Sequence, residues 1–215
     1  MSHPRAVIGL LELSGVENTR PSPKLNERKQ ETEARLKERY KGFVRQDFLS
    51  LPVMAAYDQY YKRFNKTYHV QLQVESIVLK GKNLPNVSPA VDANFMAEVD
   101  TLVLTAGHDA AKLYGLISID VSREGDFITQ MNGNYKAIRA GDMIMRDAKG
   151  VCCSIIYGQD ARSPISPETS RALFVAYAPA GVPAGLVDKQ LQEIEGNVQL
   201  FSQTAKVEQH RLLSA

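Results

Sequence analysis

Residues 84–113 read LPNVSPAVDANFMAEVDTLVLTAGHDAAKL, and within them the spacing of apolar residues changes from helical to extended. Ser88 followed by Pro89 predicts a helix start, with Ser as the N-cap and Pro at the first position, where its missing N–H costs nothing. Val91, Phe95, Met96 and Val99 then recur at helical spacing, with Asp92 in the first turn, near the positive end of the helix dipole. From Leu102 onward the pattern is that of strands. Asp92, Asn94, His108 and Asp109 are polar groups set in apolar sequence, so they must either satisfy the fold or act on something.

Upstream of this switch the chain is mainly helical. Residues 24–41 carry few apolar residues among alternating Glu, Lys and Arg and read as a mostly exposed helix. Leu51, Met54, Tyr57, Tyr61 and Phe64 follow Pro52 at helical spacing and read as a packed helix that Asn65 ends. Val70, Val74, Ile77 and Val78 share one face of a further helix, closed by Lys80-Gly81-Lys82. A single strand, residues 6–13, precedes them all. Downstream, residues 102–106, 116–121, 127–130, 135–138, 143–146, 151–157 and 173–178 read as strands, with turn signals at Asn132-Gly133 and Lys149-Gly150. Val187, Leu191, Ile194, Val198 and Phe201 mark a closing amphipathic helix before a polar tail. Helices, then strands, then one helix gives an α+β fold with a multi-stranded sheet region of mixed direction. The expected organisation is an N-terminal strand and basic helical arm over 1–69, a main domain over 70–203 and a polar tail over 204–215.

At 215 residues and 44% hydrophobic, the chain can bury one sizeable core. It has no apolar run near the roughly 20 residues that cross a bilayer, and Met1-Ser2-His3-Pro4-Arg5 lacks the pattern of a signal peptide. A soluble cytoplasmic protein without a membrane partner is expected. Cys152 and Cys153 are the only cysteines and are adjacent, which fits a reducing compartment. Four scattered histidines offer no metal-ligand spacing, and no phosphate-binding Gly-rich loop occurs, so neither a metal nor a cofactor is implied. Residues 1–82 carry 15 Lys and Arg against 9 Asp and Glu, whereas residues 83–215 carry 11 against 15. A polyanion would therefore prefer the N-terminal part.

Across the strand-rich half the order Leu84-Pro85, Pro89, Val91-Asp92, His108-Asp109, Gly125, Asn132-Gly133, Gly141-Asp142, Asp147, Gly158, Glu168-Thr169 and the strand 173–177 resembles the tRNA-binding and editing domain (B three/four) of the phenylalanyl-tRNA synthetase β subunit, and more closely its freestanding relatives. The resemblance covers about residues 70–203. It implies a tRNA partner, entering by its aminoacylated 3′ end, and hydrolysis of a mischarged ester in trans by a positioned water rather than a protein nucleophile. The family's Thr-Asn pair matches Asn94 and Phe95, its His matches Ala106, a Gly of its central strand matches Cys153-Ser154, and its tyrosine-selecting Glu matches Phe174. The resemblance thus implies a substrate other than tyrosyl-tRNA. No adenylate-forming segment is present, so intrinsic tRNA charging is not expected.

His108 and Asn94 are the candidates for positioning water. Asp92, Phe95, Ala106, Asp109, Cys153, Ser154, Tyr157 and Phe174 are candidates for lining the substrate site. Lys62, Arg63, Lys80 and Lys82 are candidates for phosphate contacts. Each has an ordinary reading beside the functional one. Asp109 suits an N-cap for residues 110–113, Asp92 a dipole-favoured first-turn residue, Cys153 an inert buried thiol, and the Tyr57-Tyr60-Tyr61 cluster a packed core. A non-catalytic RNA- or amino-acid-binding module and a small-molecule hydrolase are the alternative functions.

Overall fold

In the computed structural model, which describes residues 3–19 and 22–214, the helical and extended parts of the chain meet at Leu102. Met1 and Ser2, quoted above, lie outside the described residues, as do 20, 21 and 215. Leu102 takes a left-handed conformation (φ 65°) and donates its N–H to the Glu98 carbonyl, which ends the helix and turns the chain into a strand. The helices are α1 (Pro23–Arg39), α2 (Arg45–Ser50), α3 (Pro52–Lys62), α4 (His69–Val78), α5 (Pro89–Thr101) and α6 (Ala184–Gln199). The strands are β1 (Val7–Ser14), β2 (Thr105–Asp109), β3 (Ser118–Val121), β4 (Phe127–Thr129), β5 (Tyr135–Ala137), β6 (Met143–Asp147), β7 (Gly150–Ser154), β8 (Gly158–Gln159), β9 (Arg171–Ala178) and β10 (Lys206–Ser214). The fold is α+β, as expected.

Two four-stranded sheets, in the orders β10-β1-β9-β2 and β3-β6-β7-β8, are accompanied by a small β4-β5 hairpin that packs beside β7. Every strand pairing among the described residues is antiparallel, where mixed direction was expected. The stretch read as a polar tail supplies strand β10, which pairs with β1 from Val7↔Ser214 to Ser14↔Lys206. Helix α6 covers one face of the first sheet so closely that a Cβ on Gly9 would lie 2.7 Å from Val187 Cγ1. The other face looks toward the second sheet, and Ile8, Ile119 and Met143 line a common hollow there. No helix among the described residues is long and apolar enough to cross a membrane.

Helix α1 is less exposed than its composition suggests. Leu25, Lys29, Thr32, Glu33 and Leu36 are buried, a stripe at helical spacing, because α1 packs against α4 and α5. Lys29 Nζ donates to Asp92 Oδ2, to the Pro85 carbonyl and to Asn86 Oδ1, each at 2.6 Å. The tyrosine cluster is core, as its spacing suggested. Tyr57 stacks on Tyr68 with ring centres 4.1 Å apart, and its hydroxyl donates to the Tyr177 carbonyl at 2.7 Å while accepting from the Leu104 N–H at 3.0 Å. Tyr60 donates to Asp142 Oδ1 at 2.6 Å, and Tyr61 to the Ile155 carbonyl at 3.0 Å. These hydroxyls tie α3 to both sheets, and each is satisfied although buried.

Candidate functional site

Strand β2 is an edge strand: β9 pairs with one side of it, and the other side needs partners from elsewhere. Two side chains of α5 answer that need at Thr105. Asn94 Nδ2 donates to the Thr105 carbonyl at 3.2 Å, and the Thr105 N–H donates to Glu98 Oε1 at 2.7 Å. Their i, i+4 spacing sets both on one face of the helix. Beside this clamp lies a cavity of about 450 Å³. Val91, Phe95, Met131, Ile155 and Ile165 give it apolar walls, and Gln73, Asn94, Glu98, Ser154, Gln159 and Tyr177 bring polar groups.

Three buried atoms on this cavity have no hydrogen-bond partner among the described residues: Gln73 Oε1, Asn94 Oδ1 and Tyr177 Oη. Buried polar atoms are normally paired, so three gathered on one cavity mark it as a place for a polar ligand. Glu98 is fully enclosed, and among the described residues no Lys or Arg lines the cavity. Burial therefore pushes its carboxyl up to about 8, against the opposing effect of the Thr105 N–H. That places a carboxyl able to gain or lose a proton near neutral pH beside an apolar pocket.

Of the residues singled out in the sequence, the structure brings Asn94, Phe95, Ala106, Cys153 and Ser154 together on this cavity. Neither nucleophile type among them is activated. Burial pushes the Cys153 thiol up to about 12, and Ser154 Oγ donates to Asp142, whose other oxygen holds Tyr60. The remaining candidates lie elsewhere. His108 is completely buried and does not line the cavity; its Nδ1 lies 2.9 Å from Ser163 Oγ and 3.0 Å from Gln159 Nε2. Burial first, and Arg162 second, bring it down to about 3, so it is a neutral imidazole inside the fold and does not position water at the cavity. It reaches the site only through Gln159, one side chain removed.

Asp109 caps the 3₁₀ turn Ala110–Lys112 through the Ala111 N–H at 3.1 Å and accepts from Thr169 Oγ1 at 2.9 Å. Asp92 pairs with Lys29 on the opposite face of α5. Tyr157 packs on a small separate cluster around Ile128, Ile138, Ile144 and Val151. Phe174, opposite Gly107 on β9, is buried, and its ring packs so close that a Cβ on Gly107 would lie 3.2 Å from it. Phe174 is not among the residues that line the cavity. Lys80 and Lys82 are exposed, Lys62 pairs with Asp58 at 2.6 Å, and Arg63 lies over the rings of Tyr60 and Phe64.

Glu98, Gln73 and Tyr177 are the site residues the sequence reading missed. The available signal for Glu98 was its position four residues beyond Asn94 on an otherwise apolar helix face. Gln73 stands among polar residues of an amphipathic helix, and Tyr177 inside an apolar strand, so neither carried a signal of its own.

The structure is similar to that of an N-terminal fragment of the phenylalanyl-tRNA synthetase β subunit from Pyrococcus horikoshii, at 8% identity and a TM-score of 0.48. The match covers 99% of this chain and 51% of that one, so the chain spans about half the length of the fragment. No curated protein matches the chain. The B3/4 domain family model matches residues 55–186, a segment that contains every wall of the cavity. The chain, matched over more than half its length, belongs to the B3/4 domain family.

Proposed function

We propose that this B3/4 domain binds the aminoacylated 3′ end of a tRNA, seats the amino acid in the α5–β2 cavity and hydrolyses a mischarged ester in trans. Membership of the family supports a nucleic-acid-binding role related to the tRNA synthetases. The observation that carries the finer reading is the cavity itself, with apolar walls sized for a side chain and the unpartnered Asn94 Oδ1 beside the Glu98 carboxyl. A water held by Asn94 and deprotonated by Glu98 would attack the ester carbonyl, the proton passing on to the leaving ribose hydroxyl. This needs no protein nucleophile, in keeping with the raised Cys153 thiol and the engaged Ser154. The basic arm over 1–69 and the exposed Lys62, Arg63, Lys80 and Lys82 would meet the phosphate backbone, giving salt-dependent affinity.

The test is deacylation of a panel of aminoacyl-tRNAs, cognate and deliberately mischarged, by the wild type and by Asn94→Ala. Selective release of one amino acid, slowed at least tenfold in the variant, is expected. Binding without release from any member would reduce the protein to a tRNA-binding module. Indifference to tRNA in both assays would exclude the reading altogether.

A further inference from the structure

We infer that the hollow between the turn His3–Ala6 and helix α3 is a binding site for a phosphomonoester, with Arg5 and Arg63 as its two anchors. This refines the phosphate contact proposed above for Arg63, and it uses no residue of the α5–β2 cavity. The hollow has a volume of about 280 Å³. The turn supplies Arg5, helix α3 and its C-cap supply Gln59, Tyr60 and Arg63, and Pro179 closes the hollow past the end of β9. Among the described residues no Asp or Glu lines it.

Arg5 stands where glycine is the ordinary choice. The Ala6 N–H donates to the His3 carbonyl at 3.2 Å, so His3–Ala6 is a tight turn with Pro4 in its second place and Arg5 in its third. Arg5 is left-handed there (φ 64°), the type II pattern that Gly adopts without the clash a side chain brings. The fold thus accepts steric strain to hold a guanidinium at the rim of this hollow.

Its charge is not answered inside the protein. Arginines elsewhere, such as Arg35, Arg146 and Arg162, each meet an Asp, whereas Arg5, Arg63 and Arg139 meet no carboxylate among the described residues. Arg63 is held by rings instead, 5.4 Å from the centre of Tyr60 and 5.6 Å from that of Phe64, and Arg139 lies 5.8 Å from the same Phe64 ring. Stacking orients a guanidinium while leaving its N–H donors free for a ligand. Tyr60 and His3 are already engaged. The Tyr60 hydroxyl donates to Asp142 and accepts from the Met143 N–H, both at 2.6 Å, and His3 Nε2 lies 2.9 Å from the Gly141 carbonyl. Burial, and then the Arg63 charge, lower the His3 ring and keep it neutral.

Two unpaired guanidiniums on one small hollow, with a third on the Phe64 ring, call for an anion of matching charge. A phosphomonoester carries about −1.5 to −2 at neutral pH and three terminal oxygens that accept paired N–H donors. A carboxylate or a backbone diester carries a single charge, and a neutral ligand would leave both guanidiniums unanswered. The phosphate can stand on a free nucleotide or on the 5′ end of an RNA, since the group recognised is the same.

The experiment is calorimetric titration of the full chain with inorganic phosphate, adenosine 5′-monophosphate, adenosine, and one short RNA carrying either a 5′-phosphate or a 5′-hydroxyl. Binding of the monophosphate and not of adenosine is expected, weakened about tenfold by Arg5→Gly and by Arg63→Gln. Lys189→Gln, which removes an exposed cation outside the hollow, should leave it unchanged. Because glycine is at ease in the left-handed region, Arg5→Gly should unfold at no lower temperature than the wild type, so its loss of binding is not a loss of fold. Phosphorylated RNA that binds more tightly than both the monophosphate and the 5′-hydroxyl RNA makes an RNA end the source of the phosphate, and equal affinity for that RNA and the monophosphate makes it a free nucleotide. Equal affinity for the two RNAs with no binding of the monophosphate or of inorganic phosphate would reduce the arginines to backbone contacts and overturn the inference. Adenosine binding as well as its monophosphate, or full affinity in Arg5→Gly, would overturn it too. The two readings fail separately. A protein that binds the monophosphate but releases nothing from the tRNA panel sinks only the hydrolysis. One that deacylates a tRNA while ignoring every phosphomonoester sinks only this site.

Discussion

Helix α5 carries four buried acidic or amide side chains, and its two faces treat them differently. Toward α1, Asp92 meets Lys29 at 2.6 Å, and Asp100 meets Arg35 at 3.2 Å and Arg39 at 2.9 Å. Toward β2, Asn94 and Glu98 meet only the backbone of Thr105. The first face spends its charges inside the protein and holds two helices together. The second keeps acceptors in reserve around a cavity. The contrast teaches that a buried carboxylate is informative about binding only when its counter-charge is absent, because a paired one has already been accounted for by folding.

The sharpest way to break the contrast is to make the first face resemble the second. Lys29→Met would strand the Asp92 carboxylate with the Val87 N–H as its remaining partner, and a loss of about 3–5 kcal/mol in urea unfolding is expected. A loss under about 1 kcal/mol would mean that the pair contributes little and that the faces are energetically alike.

Glu98→Gln tests the second face through pH. In the unfolded chain this carboxyl ionises near its ordinary 4.5, whereas in the fold it does so near 8. Between those values the native state holds a proton that the unfolded state has given up, so stability falls as pH rises. The slope reaches about 1.4 kcal/mol per pH unit at most. Denaturation curves at pH 5, 6.5 and 8 should show that decline in the wild type less the variant, and parallel curves would show Glu98 to be better solvated than its burial implies. His108 gives the mirror image. Its pKa is lowered to about 3, so its contribution is lost as pH falls from about 6.5 toward 3, with a similar limiting slope.

Smaller effects refine the picture. Asn94→Ala removes one hydrogen bond to an edge strand and should cost about 1 kcal/mol, measured by thermal unfolding, while its effect on ligand binding is much larger. A stability loss as large as that of Lys29→Met would make Asn94 a structural residue. Lys62→Ala, at an exposed pair, should change stability by less than about 0.5 kcal/mol yet lower the salt sensitivity of RNA binding. An unchanged salt slope would remove Lys62 from the nucleic-acid surface.

The change of period at Leu102 made the fold class legible, and Ser88-Pro89 marked the start of α5 within a residue. Strand β10 was not legible, because KVEQHRLLS has no apolar alternation and its partner strand lies about 200 residues earlier. Half of the cavity was legible through the resemblance, since Asn94, Phe95, Ala106, Cys153 and Ser154 do converge. His108 shows why the other half was not. It shares a face of β2 with Ala106, two residues away, and nothing in the sequence says that Gln159 and Ser163 close over one and not the other. Glu98 was missed because a polar residue at helical spacing reads as solvated surface until the partner layer is known.

Strand β1 lies between β9 and β10, with Val7 opposite both Ala178 and Ser214. Both of its neighbours thus emerge from the ribosome well over a hundred residues later, roughly ten to forty seconds at about 5–20 residues per second. Through that interval Leu11 and Leu13, fully enclosed in the finished molecule, have no sheet to enter. The local contacts of the helices can form early, whereas the first sheet must wait for its longest loops to close, the step that slows folding in high-contact-order topologies. Nascent chains of this protein should therefore depend on shielding of the short apolar segment around Leu11 and Leu13, and a fragment confined to residues 55–186 would expose the edge of β9 that β1 normally seals.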